Sequence, residues 1–141
     1  MNSQTGRRLM WHGVFLFLLG LLLGLIEQKF SNPRMGLAAH LEGLMNGTFV
    51  LAVGAVWSEV RLSANSTRLT FWTLLYGSYA NVLVTAFAAA FGTAAMTPLA
   101  GAGYRAHDWQ EAAVTVGFVS VGISMLAASF LLLWGLADHE H

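Results

Sequence analysis

There is no cysteine anywhere in the 141 residues. Its absence removes disulfides, thiolate metal sites, iron–sulfur ligation and thiol nucleophiles together, and leaves histidine or carboxylate to hold any metal. Charge is nearly as scarce. Only 10% of residues are Asp, Glu, Lys or Arg and the formal net charge is zero, so there is no basic surface for nucleic acid. Heptad repeats, a phosphate-binding glycine loop and a Ser–His–Asp pattern are also missing; the glycines fall inside helical stretches rather than after strands. What is present is apolar. At 56% hydrophobic residues the composition is that of a membrane protein. The length suits one all-α domain, 1–141, of about four spans.

Those spans are expected at about 9–26, 35–60, 69–91 and 112–136. The first follows the polar stretch MNSQTGRR and ends in Glu27-Gln28-Lys29 rather than at a small-residue cleavage site, so it reads as a retained helix and not a signal peptide. Pro33 is placed to start the second. The polar stretch RLSANSTR, residues 61–68, reads as a turn before the third. Residues 92–110, GTAAMTPLAGAGYRAHDWQ, form the longest connection, of a length usually belonging to a lid or binding loop. Four spans place both termini on one side. Arg7, Arg8, Arg61 and Arg68 then share that side against Lys29, Arg34 and Arg105, which favours cytoplasmic termini in a bacterial inner (cytoplasmic) membrane.

The second span holds the chemistry. His40, Glu42 and Asn46 lie inside its apolar run, at a depth where polar groups mark a functional site or a buried pair. Gly36, Gly43, Gly47 and Gly54 recur at intervals of seven, four and seven, which at helical spacing makes one stripe that includes His40. Two readings fit. A side-chain-free track beside an imidazole suits a large flat ligand such as a porphyrin; equally, it suits close helix packing with His40 bonded to a neighbour. Gly13, Gly20 and Gly24 repeat the seven-then-four spacing in the first span, so the two spans are expected to pack on glycine. His12, beside Trp11, reads as an interfacial residue, or less readily as a second iron ligand. Glu42 is turned about 200° from His40 at helical spacing, which suits a structural pair.

In the third span Tyr76 and Tyr79 share a face, Asn81 adjoins it, and Asn81 at that depth needs a partner. In the long connection Arg105 lies with His107 and Asp108, where it is solvated or pairs a carboxylate. Ser120, Ser124, Ser129, Gly117 and Gly122 give the fourth span an ordinary interhelical composition.

The run Ala39-His40-x5-Asn46-Gly47, with His12-Gly13 opening the first span and Ala80-Asn81-Val82 in the third, resembles the styrene oxide isomerase family. Within that family the likeness runs to the branch acting on aromatic hydroxylamines. The resemblance implies a small homo-oligomer, expected to be a trimer, with haem b between subunits. It makes His40 the single axial iron ligand and turns Asn46 toward substrate. Gly43, Gly47 and Arg105 are expected to line the cofactor, and Tyr76, Tyr79 and Asn81 to join Asn46 around the substrate. The epoxide-isomerising members resemble one another in a third-span run D-G-W-A-N-V, followed after three residues by Tyr. Here Gly77 stands for the Asp, Tyr79 for the Trp and Thr85 for the Tyr. The iron half of the pattern is kept while the epoxide half differs, so the implied reaction is rearrangement of hydroxylaminobenzene to 2-aminophenol, with iron acting as a Lewis acid and no net redox. Epoxide isomerisation, a bis-histidine electron-transfer haem protein (His40 with His12) and a haem-free four-helix membrane protein are the competing readings.

Overall fold

The structure, a computed structural model, describes residues 2–137. His139 and His141 lie outside the described residues. Four helices carry the chain: α1 (Asn2–Ile26), α2 (Pro33–Ala55), α3 (Ala64–Phe91) and α4 (Asp108–Leu136), with short 3-10 turns at Glu27–Lys29 and Trp57–Glu59. All four are long and apolar enough to cross a membrane, and no strand occurs among the described residues. The expected all-α, multi-pass membrane bundle is therefore what the chain forms.

Local chemistry explains the ends. Asn32 caps α2, its side-chain oxygen accepting from the backbone N–H of Arg34 (3.1 Å) and Met35 (3.4 Å), with Pro33 at the first position. Ser63 caps α3 by accepting from Ser66 N–H at 3.2 Å. Most of the stretch expected as a turn at 61–68 is thus the first turn of a helix. Gly92, at φ 67°, ends α3 in the left-handed conformation that glycine adopts without strain. α2 stops at Ala55, short of the expected residue 60, because the chain turns there to bury Trp57 beneath the start of α1.

α1 packs chiefly on α2, α2 on α3, and α3 on α4. Leu9, Leu16, Val50, Trp57 and Leu74 lie at the centre of the main core, and Met35, Ala88, Ala89 and Val114 form a second core under the long connection. Outward residues remain apolar: Leu25 is 78% and Phe130 68% exposed, a surface made for lipid or another copy of the chain rather than water.

The long connection, expected from its length as a lid or binding loop, is fastened from two sides. The Glu111 carboxylate accepts from the backbone N–H groups of Ala94 (3.0 Å), Ala95 (2.9 Å) and Ala106 (3.4 Å). From the other side Asn32 donates to the Ala100 carbonyl at 2.8 Å and Arg34 to that of Ala102, the Arg34 guanidinium also lying 5.7 Å from the centre of the Tyr104 ring. With its backbone groups taken up by three side chains, the segment has little freedom to open.

Candidate functional site

The seam between α1 and α2 is almost without side chains. A Cβ on Gly20 would meet the Gly43 Cα at 2.9 Å; one on Gly47 would meet the Gly13 carbonyl oxygen at 2.7 Å; one on Gly54 would meet that of Gly6 at 2.8 Å. The expected glycine-on-glycine packing is present. α1 occupies that face backbone to backbone, which gives Gly43 and Gly47, expected beside a cofactor, a packing role against α1.

His40 sits at the end of this seam. Its Nδ1 lies 2.7 Å from the Gly20 carbonyl oxygen, which can only accept, so Nδ1 carries the proton and donates. In the neutral ring Nε2 is the nitrogen left free, the tautomer in which imidazole ligates a metal, with the backbone bond fixing the ring. Gly24 makes room for the ring, since a Cβ there would come within 2.6 Å of Nδ1. Among the described residues no three His, Asp or Glu side chains gather to hold a bare ion. A porphyrin supplies four nitrogens of its own and needs one such histidine, so the residues present fit haem.

The seam between α2 and α3 is polar. Asn46, 7% exposed, donates through Nδ2 to the Glu42 backbone carbonyl (2.9 Å) and to Glu42 Oε2 (3.0 Å). Asn81 donates from α3 to the same Oε2. The partner that Asn81 requires is therefore Glu42, and the structural pair expected for Glu42 is a three-residue cluster. Glu42 is the residue that sequence reasoning left without a site. Its four-residue spacing from Asn46 was a usable signal, but nothing in the sequence announces Asn81, 39 residues away.

The tyrosines border one open apolar cleft of about 380 Å³ with His12, Trp72, Leu75, Ala80 and Leu83, but their hydroxyls part company. Tyr79 OH lies 2.9 Å from His12 Nδ1 of α1, whereas Tyr76 OH lies 2.8 Å from Ser120 Oγ of α4. His12 is thus engaged on α3 while His40 is engaged on α1, and no described hydrogen bond or ring contact joins them. Arg105 is exposed beside a groove lined by Ser31, Ala90, Phe91, His107 and Gln110. Gly77 faces Met125, whose Sδ would lie 2.6 Å from an added Cβ, and buried Thr85 donates to the Asn81 carbonyl at 2.7 Å.

One mid-span histidine bonded through Nδ1 thus lies one seam away from an amide cluster, beside a third span without the epoxide groups. The sequence profile of styrene oxide isomerase matches residues 5–137. The chain belongs to the styrene oxide isomerase family. It is similar to two curated proteins of Ectopseudomonas oleovorans. Hydroxylaminobenzene mutase HabB is 41% identical over 136 residues, covering 96% of this chain and 83% of that protein. Hydroxylaminobenzene mutase HabA is 40% identical over 125 residues, covering 88% and 93%. No solved structure matches.

Proposed function

We propose that this family member is an isomerase that rearranges hydroxylaminobenzene to 2-aminophenol, using haem b held by His40 in a homo-oligomer, expected as a trimer. The observation that carries the reaction is the 41% identity to HabB across 96% of the chain. The bonded Nδ1 of His40 and the space left by Gly24 support the cofactor. The uncovered apolar faces support an oligomer in the bilayer, in which haem would lie between subunits. The four-to-three distribution of basic residues supports cytoplasmic termini in a bacterial inner membrane.

The reaction is an isomerisation with no net electrons. The N–O bond breaks, a C–O bond forms at the ortho carbon, and the proton displaced from the ring ends on nitrogen. Haem, when bound, would be held by His40 Nε2 and would supply Lewis-acid chemistry toward the N–O bond. Arg105, on the same end of the bundle as the start of α2, would pair a haem carboxylate. Asn46 holds the migrating hydroxyl near the ortho carbon, and Asn81 braces the same cluster. Tyr76 and Tyr79 offer aromatic faces to the ring. The apolar helices keep out the water that would otherwise attack the ring, chiefly at the para carbon.

The test is the purified protein in detergent, without reductant or nucleotide. The expected result is a Soret band, conversion to 2-aminophenol, poor handling of styrene oxide, and product oxygen derived from substrate when the reaction runs in labelled water. A missing Soret band removes the haem. Solvent oxygen in the product, or mostly 4-aminophenol, removes the held hydroxyl. Brisk conversion of styrene oxide to phenylacetaldehyde with no action on the hydroxylamine would make the protein an epoxide isomerase.

A further inference from the structure

The Glu42 cluster decides which end of an amide faces outward. Both N–H bonds of Asn46 are spent on Glu42, one on its backbone carbonyl at 2.9 Å and one on Oε2 at 3.0 Å. Both targets are acceptors, so the amide cannot sit the other way round. Oε2 also receives Asn81, which ties the arrangement to α3. Among the described residues no donor reaches Asn46 Oδ1. Asn46 therefore has nothing to offer a ligand except a carbonyl oxygen.

We propose that Glu42 is a positioning residue that makes Asn46 a pure hydrogen-bond acceptor, and so selects substrates that bring a donor. The inference rests on the reading of Asn46 as facing substrate. Hydroxylaminobenzene carries O–H and N–H donors and satisfies such an oxygen. An epoxide carries only an acceptor, and would leave two oxygens facing each other without a proton between them, a mismatch that costs more than a missing contact. Substrate choice within the family fold then depends on a residue that need not touch the substrate.

Benzyl alcohol and anisole test this, being isomers of which only the alcohol donates. Binding is read as the ligand-induced rise in melting temperature of the intact protein in one detergent, a measurement that needs no turnover. The wild type should prefer benzyl alcohol by about fivefold, the value of one neutral hydrogen bond. Glu42→Met removes the accepting oxygen, frees one N–H of Asn46, and should bring the preference close to one. Glu42→Gln keeps a carbonyl oxygen in the same place and should restore it, which a merely structural role does not predict. Absence of the preference in the wild type overturns the proposal, as does its persistence in Glu42→Met. Its loss in Glu42→Gln does so too, and that arm decides the matter if Glu42→Met fails to fold. A wild type that shows the preference but leaves hydroxylaminobenzene unchanged supports this inference and rejects the proposed reaction instead.

Discussion

The two seams of α2 are held by opposite means. Toward α1, adhesion comes from the absence of side chains: Gly20 and Gly43 bring the two backbones together, and a histidine ring lies where Gly24 has nothing in its way. Toward α3, a carboxyl group gathers two amides from different helices. Backbone contact between glycines gains dispersion and loses little side-chain entropy, but it tolerates no added atom. A polar cluster in an apolar setting tolerates changes of shape better than the loss of a partner, because each member left unpaired is costly. The first seam thus fixes the His40 ring, and the second fixes the orientation of two amides.

Substitutions should separate the two seams, beginning with the most damaging. Gly43→Leu drives a side chain into the α1 backbone and should lose assembly altogether, at or beyond the top of the range of about 1–3 kcal/mol for overpacking. Gel filtration and thermal melting in detergent check it, and Leu51→Ala, which adds no bulk, should be far milder. Survival of Gly43→Leu with a native melting curve would mean the seam is not as tight as drawn.

Next is the histidine contrast. His40→Ala should insert and assemble but lose its Soret band, while His12→Ala keeps most of it. Gly24→Val should reduce haem content without altering any ligand, since its branches meet the His40 ring. Full haem in both His40→Ala and Gly24→Val would take the iron away from the α1–α2 seam.

Tyr79→Phe removes only the bond to His12 and should cost about 1 kcal/mol of stability with haem content unchanged. A collapse of the spectrum would move His12 and Tyr79 into the cofactor site. The smallest effect is expected at Gly122, where an added Cβ meets nothing within 4 Å. Gly122→Ala should leave activity alone and raise stability by up to about 1 kcal/mol through helix propensity. Destabilisation there would reveal a close neighbour, such as another subunit, on the outer face of α4.

Much of the glycine seam was readable in advance, because Gly13, Gly20 and Gly24 repeat the seven-then-four spacing of Gly36, Gly43 and Gly47, and Gly20 and Gly13 do meet Gly43 and Gly47. Of the two readings of that track, close helix packing is the one the α1–α2 contact displays. Spacing says that a face is bare, not what covers it, and α1 covers this one. The role of Glu42 was only half visible. Its four-residue interval to Asn46 lies within one helix, while the bond from Asn81 depends on which faces α2 and α3 present to each other. The clamp on the long connection was hidden for the same reason, since Asn32 and Ala100 are 68 residues apart.

By itself, the sequence determined that this protein is helical, crosses a membrane about four times, and carries one mid-span histidine beside a bare track. Apolar run length and helical period are local properties, and a bilayer leaves a backbone few other ways to satisfy its hydrogen bonds. Only the tertiary structure decided which nitrogen of His40 is protonated, which oxygen receives Asn46 and Asn81, and which tyrosine meets His12. Each of these is a choice between partners far apart in the chain, made when the helices dock and every buried polar group takes the nearest group able to pair with it.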